Sequence, residues 1–138
     1  MVSWSHCFMV SLNMEKKYLK LNDIDAYKIA FNLSNYVWNI IIKWDIFTKR
    51  TVGEQFMRAI DSISANIAEG FGRYYKRDKI HYYRISYGSV NESLDWNEKA
   101  NIRKLLKEEE YNYILEELKK LPKSINQLIQ YTNQKLKI

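Results

Sequence analysis

The chain has 138 residues, with 22 Lys+Arg against 16 Asp+Glu for a formal net charge of +6, four glycines, one proline and one cysteine. That length suits one domain with its own core, and so little Pro and Gly argues against an all-β fold that turns every dozen residues, so helices are favoured. Cys7 alone cannot close an internal disulfide, which fits a reducing cytoplasm, and the longest apolar run, Ile40-Ile41-Ile42, is far short of the ~20 residues of a membrane span.

Residues 1–13 carry no charged side chain apart from His6, unlike the charge-rich remainder. They have neither the basic start nor the longer apolar core of a secretory signal. Met14, followed by Glu15-Lys16-Lys17, reads as an ordinary start. The first thirteen residues are therefore expected to be an over-extended start or a poorly ordered tail; the other reading is a short arm using Trp4 and Phe8. Residues 14–138 form the single domain.

The first helix is signalled by Asn22 or Asp23 as N-cap and Asp25 in the first turn. Apolar residues then recur at helical spacing from Ile24 through Tyr27, Ala30, Leu33, Val37, Ile40 and Trp44 to Phe47. Thr51 and Glu54 have the spacing of a capping box opening the second helix. Its stripe is Val52, Phe56, Ala59, Ile60, Ile63, Ile67 and Phe71, and Gly70 or Gly72 is expected to end it in the left-handed conformation. The third helix starts near Arg77 or Asp78 and runs through Ile80, Tyr83, Tyr87, Val90, Leu94 and Ala100 to about Lys104. Gly88 in its middle costs about 1 kcal/mol relative to alanine, which points to a close neighbour. The fourth helix begins around Lys107, with Glu108-Glu109-Glu110 in its first turn and a stripe from Tyr111 to Ile129. Pro122 predicts a kink or break there, with two stacked pieces. The expected fold is an all-α, antiparallel up-down-up-down four-helix bundle.

On the second helix Ser62, Asn66, Glu69 and Arg73 fall within a sector of about 60°, a polar strip among small and apolar neighbours. Gly88, Ser89 and Glu92 offer a matching set on the third helix. The stretch from Ser62 to Arg73, with Asn66-Ile67-Ala68-Glu69-Gly70 followed by Gly72-Arg73, resembles the signature of the four-helix-bundle proteins encoded in intervening sequences of bacterial 23S ribosomal RNA genes. That family is related to the accessory variability proteins of diversity-generating retroelements. Gly88-Ser89 followed by Glu92 is similar to its second, shorter motif, and the resemblance covers roughly residues 18–131. It implies an antiparallel bundle assembled as a homopentameric ring, and a nucleic-acid-binding role without an established catalytic activity. Tyr74-Tyr75 departs from the serine or threonine expected before the third helix, and Asn91 and Ser93 replace apolar residues around Glu92. Asn66 and Glu69 are expected to hydrogen-bond across to the third helix or to a neighbouring subunit, fixing register.

Between Arg73 and Arg84, five cations (Arg73, Lys76, Arg77, Lys79 and Arg84) face a single Asp78, with Tyr74, Tyr75, Tyr82, Tyr83 and His81 interleaved. Cations attract phosphate in a salt-dependent way, and tyrosines stack on unpaired bases. This corner is the expected contact for RNA or DNA, without base-specific reading. The alternative is a structural or protein-interaction module that offers the corner to an acidic partner protein. Tyrosines at this spacing also serve as core or interface residues.

Enzyme signatures are missing from the sequence. A di-iron bundle needs two Glu-x-x-His motifs, and the nearest match is Asp78-x-x-His81, once. There is no phosphate-cradling glycine loop, nucleophile elbow or Cys-x-x-Cys pair, and Glu69 with Glu92 is the sole candidate acid/base pair. No cofactor, metal or membrane role is expected. Trp38, Trp44, Trp96 and eleven tyrosines exceed what one slender core encloses, which points to self-association.

Overall fold

The computed structural model describes residues 19–137, so the expectations for residues 1–13 lie outside the described residues. Among the described residues the chain is all-helical and has no strand. Its four long helices are α1 (Asp25–Ile41), α2 (Glu54–Phe71), α3 (Lys76–Ile102) and α4 (Glu108–Lys135).

The start of α1 lies a residue later than its sequence signals. Ile24, in an extended conformation, is the N-cap, while the Asp23 carboxylate accepts the Lys20 amide at 3.0 Å and closes a single 3-10 turn, Leu21–Asp23. The helix also ends early. Periodicity carries apolar residues to Phe47, but α1 stops at Ile41 because Asp45 begins a new turn, accepting the Thr48 amide at 2.9 Å. Phe47 is left 76% exposed. A short helix, Ile46–Thr48, then passes through a wide-turned stretch, Lys49–Gly53, directly into α2. Thr51 consequently makes no capping box: its hydroxyl donates to Phe47 O at 2.8 Å, and Glu54 pairs with Arg58 at 3.6 Å. Gly53 permits this close entry, since a Cβ there would sit 3.0 Å from Ile41 Cγ2.

Neither Gly70 nor Gly72 is left-handed; no described glycine has a positive φ. The last carbonyls of α2 are met differently. Gly72 N–H bonds to Ala68 O and Glu69 O, and the Lys79 ammonium donates to Phe71 O at 2.7 Å. The left-handed cap belongs instead to Lys104 (φ 61°) after α3. There Leu105 N–H reaches Ala100 O at 2.9 Å and Lys104 N–H reaches Asn101 O at 3.0 Å, the paired bonds of a Schellman ending.

Lys107 precedes α4 as expected, its amide held by Glu110 Oε1 at 2.8 Å, with three glutamates at the positive end of the helix dipole. The helix continues through Pro122 as one element, not as two pieces. Packing against α1 and α3 holds this segment helical despite the missing N–H.

The core is a continuous apolar cluster: Leu33 and Val37 from α1, Phe56, Ile60, Ile63 and Ile67 from α2, Val90 from α3, and Ile114, Leu118, Leu121 and Ile125 from α4. Each such side chain contributes roughly 1.5–3 kcal/mol on burial. α3 is unlike the others. Its most enclosed positions include Ser86, Ser93 and Asn97, while Tyr87 and Leu94, which periodicity placed inward, are half-buried.

Candidate nucleic-acid interface

The α2–α3 corner is four residues, Gly72 to Tyr75, because α3 must return along the face it shares with α2. Three contacts hold it. Gly70 lies against Tyr83 and the Lys79 backbone so closely that a Cβ would be 2.7 Å from the ring and 2.9 Å from Lys79 O. Ser86 Oγ donates to Ile63 O at 2.8 Å. Ser89 Oγ meets Ser62 Oγ at 3.0 Å. Asn66 does not cross to α3; its amide donates to Ser62 O and Ser62 Oγ, both at 2.8 Å, so it orients the serine that does. Glu69 does not cross alone either. Its carboxylate pairs with Arg73 at 2.7 Å, and Arg73 then reaches the Tyr82 hydroxyl at 2.9 Å with its guanidinium 4.7 Å over that ring.

This bracing sorts the predicted contact residues. Lys79 is held inward by the Phe71 carbonyl, and burial lowers its pKa. Lys76 extends to Asn133 O on α4 at 3.4 Å. Arg73 is shared between Glu69 and Tyr82. Tyr83 is enclosed in the core, and burial pushes its phenol up to about 12. What faces solvent at the corner is Tyr74 and Tyr75, 73% and 51% exposed and packed edge to face at 5.0 Å, next to Arg77. Arg77, His81 and Arg84 continue along one exposed face of α3, and His81 rests edge-on to Tyr82 at 5.3 Å. Neither Arg77 nor Arg84 has an ion pair with a described residue.

Beside the corner, an open groove of about 540 Å³ runs between Phe71, Lys79, Tyr83, Tyr131 and Leu136. Its lining is mostly apolar and brings no nucleophile and base together. Among the described residues no three His, Cys, Asp or Glu side chains gather where a metal could be held. No helix there is long and apolar enough to cross a membrane. Glu69 and Glu92 form no pair: the first is engaged with Arg73, and the second is exposed on α3. Gly88 also differs from expectation, because no described residue lies within 4 Å of a Cβ placed there.

The anchoring roles of Lys79, Ser86 and Tyr82 had no motif to announce them. A lysine three residues into a helix and a serine among tyrosines look the same whether exposed or engaged.

No curated protein matches the chain. The fold is similar to a solved structure of a protein of unknown function from the S23 ribosomal protein family of Bacteroides thetaiotaomicron, with a TM-score of 0.67 and 20% identity. The match spans 75% of this chain and 97% of that one. The family model described as 23S rRNA-intervening sequence protein matches residues 22–127, which takes in all of α1, α2 and α3 and most of α4. The chain belongs to that family.

Proposed function

We propose that this protein is a non-enzymatic, cytoplasmic homo-oligomer that binds single-stranded RNA or DNA without base reading, through the α2–α3 corner. The observation that carries the reading is the pair of outward tyrosines, Tyr74 and Tyr75, beside Arg77, which has no ion pair with a described residue. Aromatic faces stack on any base, and a free guanidinium binds phosphate bidentately. Arg73 and Lys76 add positive potential although their donors are partly engaged. In the proposed architecture the helices run antiparallel. Contacts of Gly70 with Tyr83, Ile63 with Ser86 and Ser62 with Ser89 support that order, as residue numbers rise on one helix while they fall on the other. A bend at Pro122 belongs to the same reading. So does the pentameric ring implied by family resemblance, which would repeat the corner around an axis and add avidity. Exposed Trp38, Ile46, Phe47 and Ile102 are apolar surface available for such assembly.

Fluorescence anisotropy with labelled mixed-sequence RNA and DNA oligonucleotides at two salt concentrations tests the reading. Arg77→Ala is expected to lower the salt slope by about 0.7, the value for one phosphate contact on a single strand. Tyr74→Ala with Tyr75→Ala is expected to cost ~1–3 kcal/mol per stacked base and leave the slope unchanged. Unaltered binding by the triple variant, or none by the wild type at low salt, rejects the proposal. The second reading is a structural or protein-interaction module that offers the corner to an acidic partner protein. It is favoured if oligonucleotides fail to bind.

A further inference from the structure

Helix α3 carries a glycine for which the described residues give no reason. A mid-helix glycine costs about 1 kcal/mol relative to alanine, and Gly88 neither relieves a contact with a described residue nor adopts an unusual backbone. It lies at the centre of a long exposed face. At 100° per residue, His81, Arg84, Ile85, Glu92 and Asp95 all fall within about 60° of it, and all are exposed. Ile85 is a large apolar side chain left open on the surface.

The two charges nearest the glycine on this face are opposite, whereas Arg77 and Lys99, eleven residues before and after it, are both cations. Arg84 stands four residues before Gly88 and Glu92 four residues after it; His81 stands seven before and Asp95 seven after. Arg84 and Glu92 lie about 12 Å apart along the axis, too far to pair within one chain, and neither has an ion pair with a described residue. Asp95 already holds Lys99 at 2.7 Å, so the outer pair contributes less than the inner one.

We infer that the exposed face of α3 docks the same face of a second copy of this chain, antiparallel, with the two helices crossing at Gly88. A two-fold axis at the crossing sets Arg84 level with Glu92 of the second copy, twice. It sets His81 level with Asp95 of the second copy in the same way. Glycine at the crossing lets the backbones approach to the near end of the usual ~8–10 Å axis separation, and the Ile85 side chains flank the crossing. Such an isologous contact is distinct from the head-to-tail contact that closes a ring. It forms a dimer on its own, or joins two rings where rings exist. It takes Arg84 and His81 from the basic corner and leaves Tyr74 and Tyr75 outside the contact, while Arg77 lies on the same face eleven residues from the crossing; its test does not depend on nucleic-acid binding.

Sedimentation velocity on the full chain, from micromolar to millimolar, tests the inference by charge exchange. Arg84→Glu alone and Glu92→Arg alone each set like charges opposite one another, and each is expected to weaken the two-fold association by about tenfold or more. An equimolar mixture of the two single variants restores opposite charges at both sites and is expected to recover the heavier species. The double variant R84E/E92R is expected to recover it as well. Gly88→Leu, whose Cβ meets no described residue within 4 Å, is expected to fold with native circular dichroism and associate less. A mixture that sediments no faster than its components overturns the inference, as does a wild type that stays monomeric throughout.

Discussion

Helices α2 and α3 pack on each other more extensively than any other pair, yet they bring opposite materials to the contact. α2 offers Phe56, Ile60, Ile63 and Ile67, all fully enclosed. α3 offers Tyr83 and Val90 among Ser86, Ser89, Ser93 and Asn97. An apolar stripe against another is tolerant of sliding and rotation, because dispersion and burial are nearly non-directional. A serine hydroxyl that must meet one carbonyl, and a glycine that fits one ring edge, allow a single register. The two helices thus have separate roles, α2 supplying most of the burial and α3 the alignment. That alignment places the corner tyrosines outward and the Arg73–Tyr82 brace beneath them.

This separation is broken most severely by emptying the apolar side. Ile63→Ala is expected to lower unfolding stability by about 3–4 kcal/mol through lost burial and a cavity, read by urea denaturation. Gly70→Ala acts on the alignment. Alanine gains about 1 kcal/mol of helix propensity, but its methyl collides with Tyr83 and the Lys79 carbonyl. A net loss of about 2 kcal/mol is expected, together with changed Tyr74 and Tyr75 fluorescence in a tryptophan-free background.

The buried phenol between the two helices gives a pH signature of similar size. Tyr83 keeps its proton in the folded state up to about pH 12, because burial disfavours the phenolate more than the nearby Thr132 hydroxyl helps it. In the unfolded chain it ionises near 10. The unfolded state therefore loses its proton first as pH rises, and stability falls between about pH 10 and pH 12 by about 3 kcal/mol. Tyr83→Phe is expected to flatten that alkaline decline in a series of thermal melts.

The two enclosed serines sharpen the comparison with the smallest effects. Ser86 satisfies its hydroxyl on Ile63 O, so Ser86→Ala is expected to cost about 1 kcal/mol. Ser93 Oγ is buried and makes no hydrogen bond with a described residue, so Ser93→Ala is expected to be neutral or to stabilise by up to about 1 kcal/mol. Equal losses at both positions would contradict the assignment of register to Ser86.

Much of this was legible beforehand in particular residues. The inward positions of α2 and α4, from Phe56 to Ile67 and from Ile114 to Ile129, follow the helical period and are buried where it put them. The glutamates after Lys107 announced the start of α4, and the Ser62–Arg73 string announced the family. The corner was visible as a basic and aromatic run, but not which of its members are free. Lys76 and Lys79 differ from Arg77 only in the carbonyls that α4 and α2 set before them. The false continuation of α1 to Phe47 has a related cause. Trp44 and Phe47 sit at helical spacing, and periodicity alone could not weigh them against Asp45, whose carboxylate begins a competing turn.

Amino-acid order by itself determined the all-helical class, the positions of three helix starts to within a few residues, and the apolar stripes that become the core. These depend on local backbone preferences and on burial, and both are written in residue type and spacing. Among the described residues, tertiary structure alone decided that Gly70 is pressed against a ring while nothing meets Gly88, that Ser86 has a partner while Ser93 has none, and that Arg73 is braced while Arg77 has no ion pair. Each outcome depends on the distance between groups on different helices. Such distances are fixed only when the whole set of stripes finds one common packing.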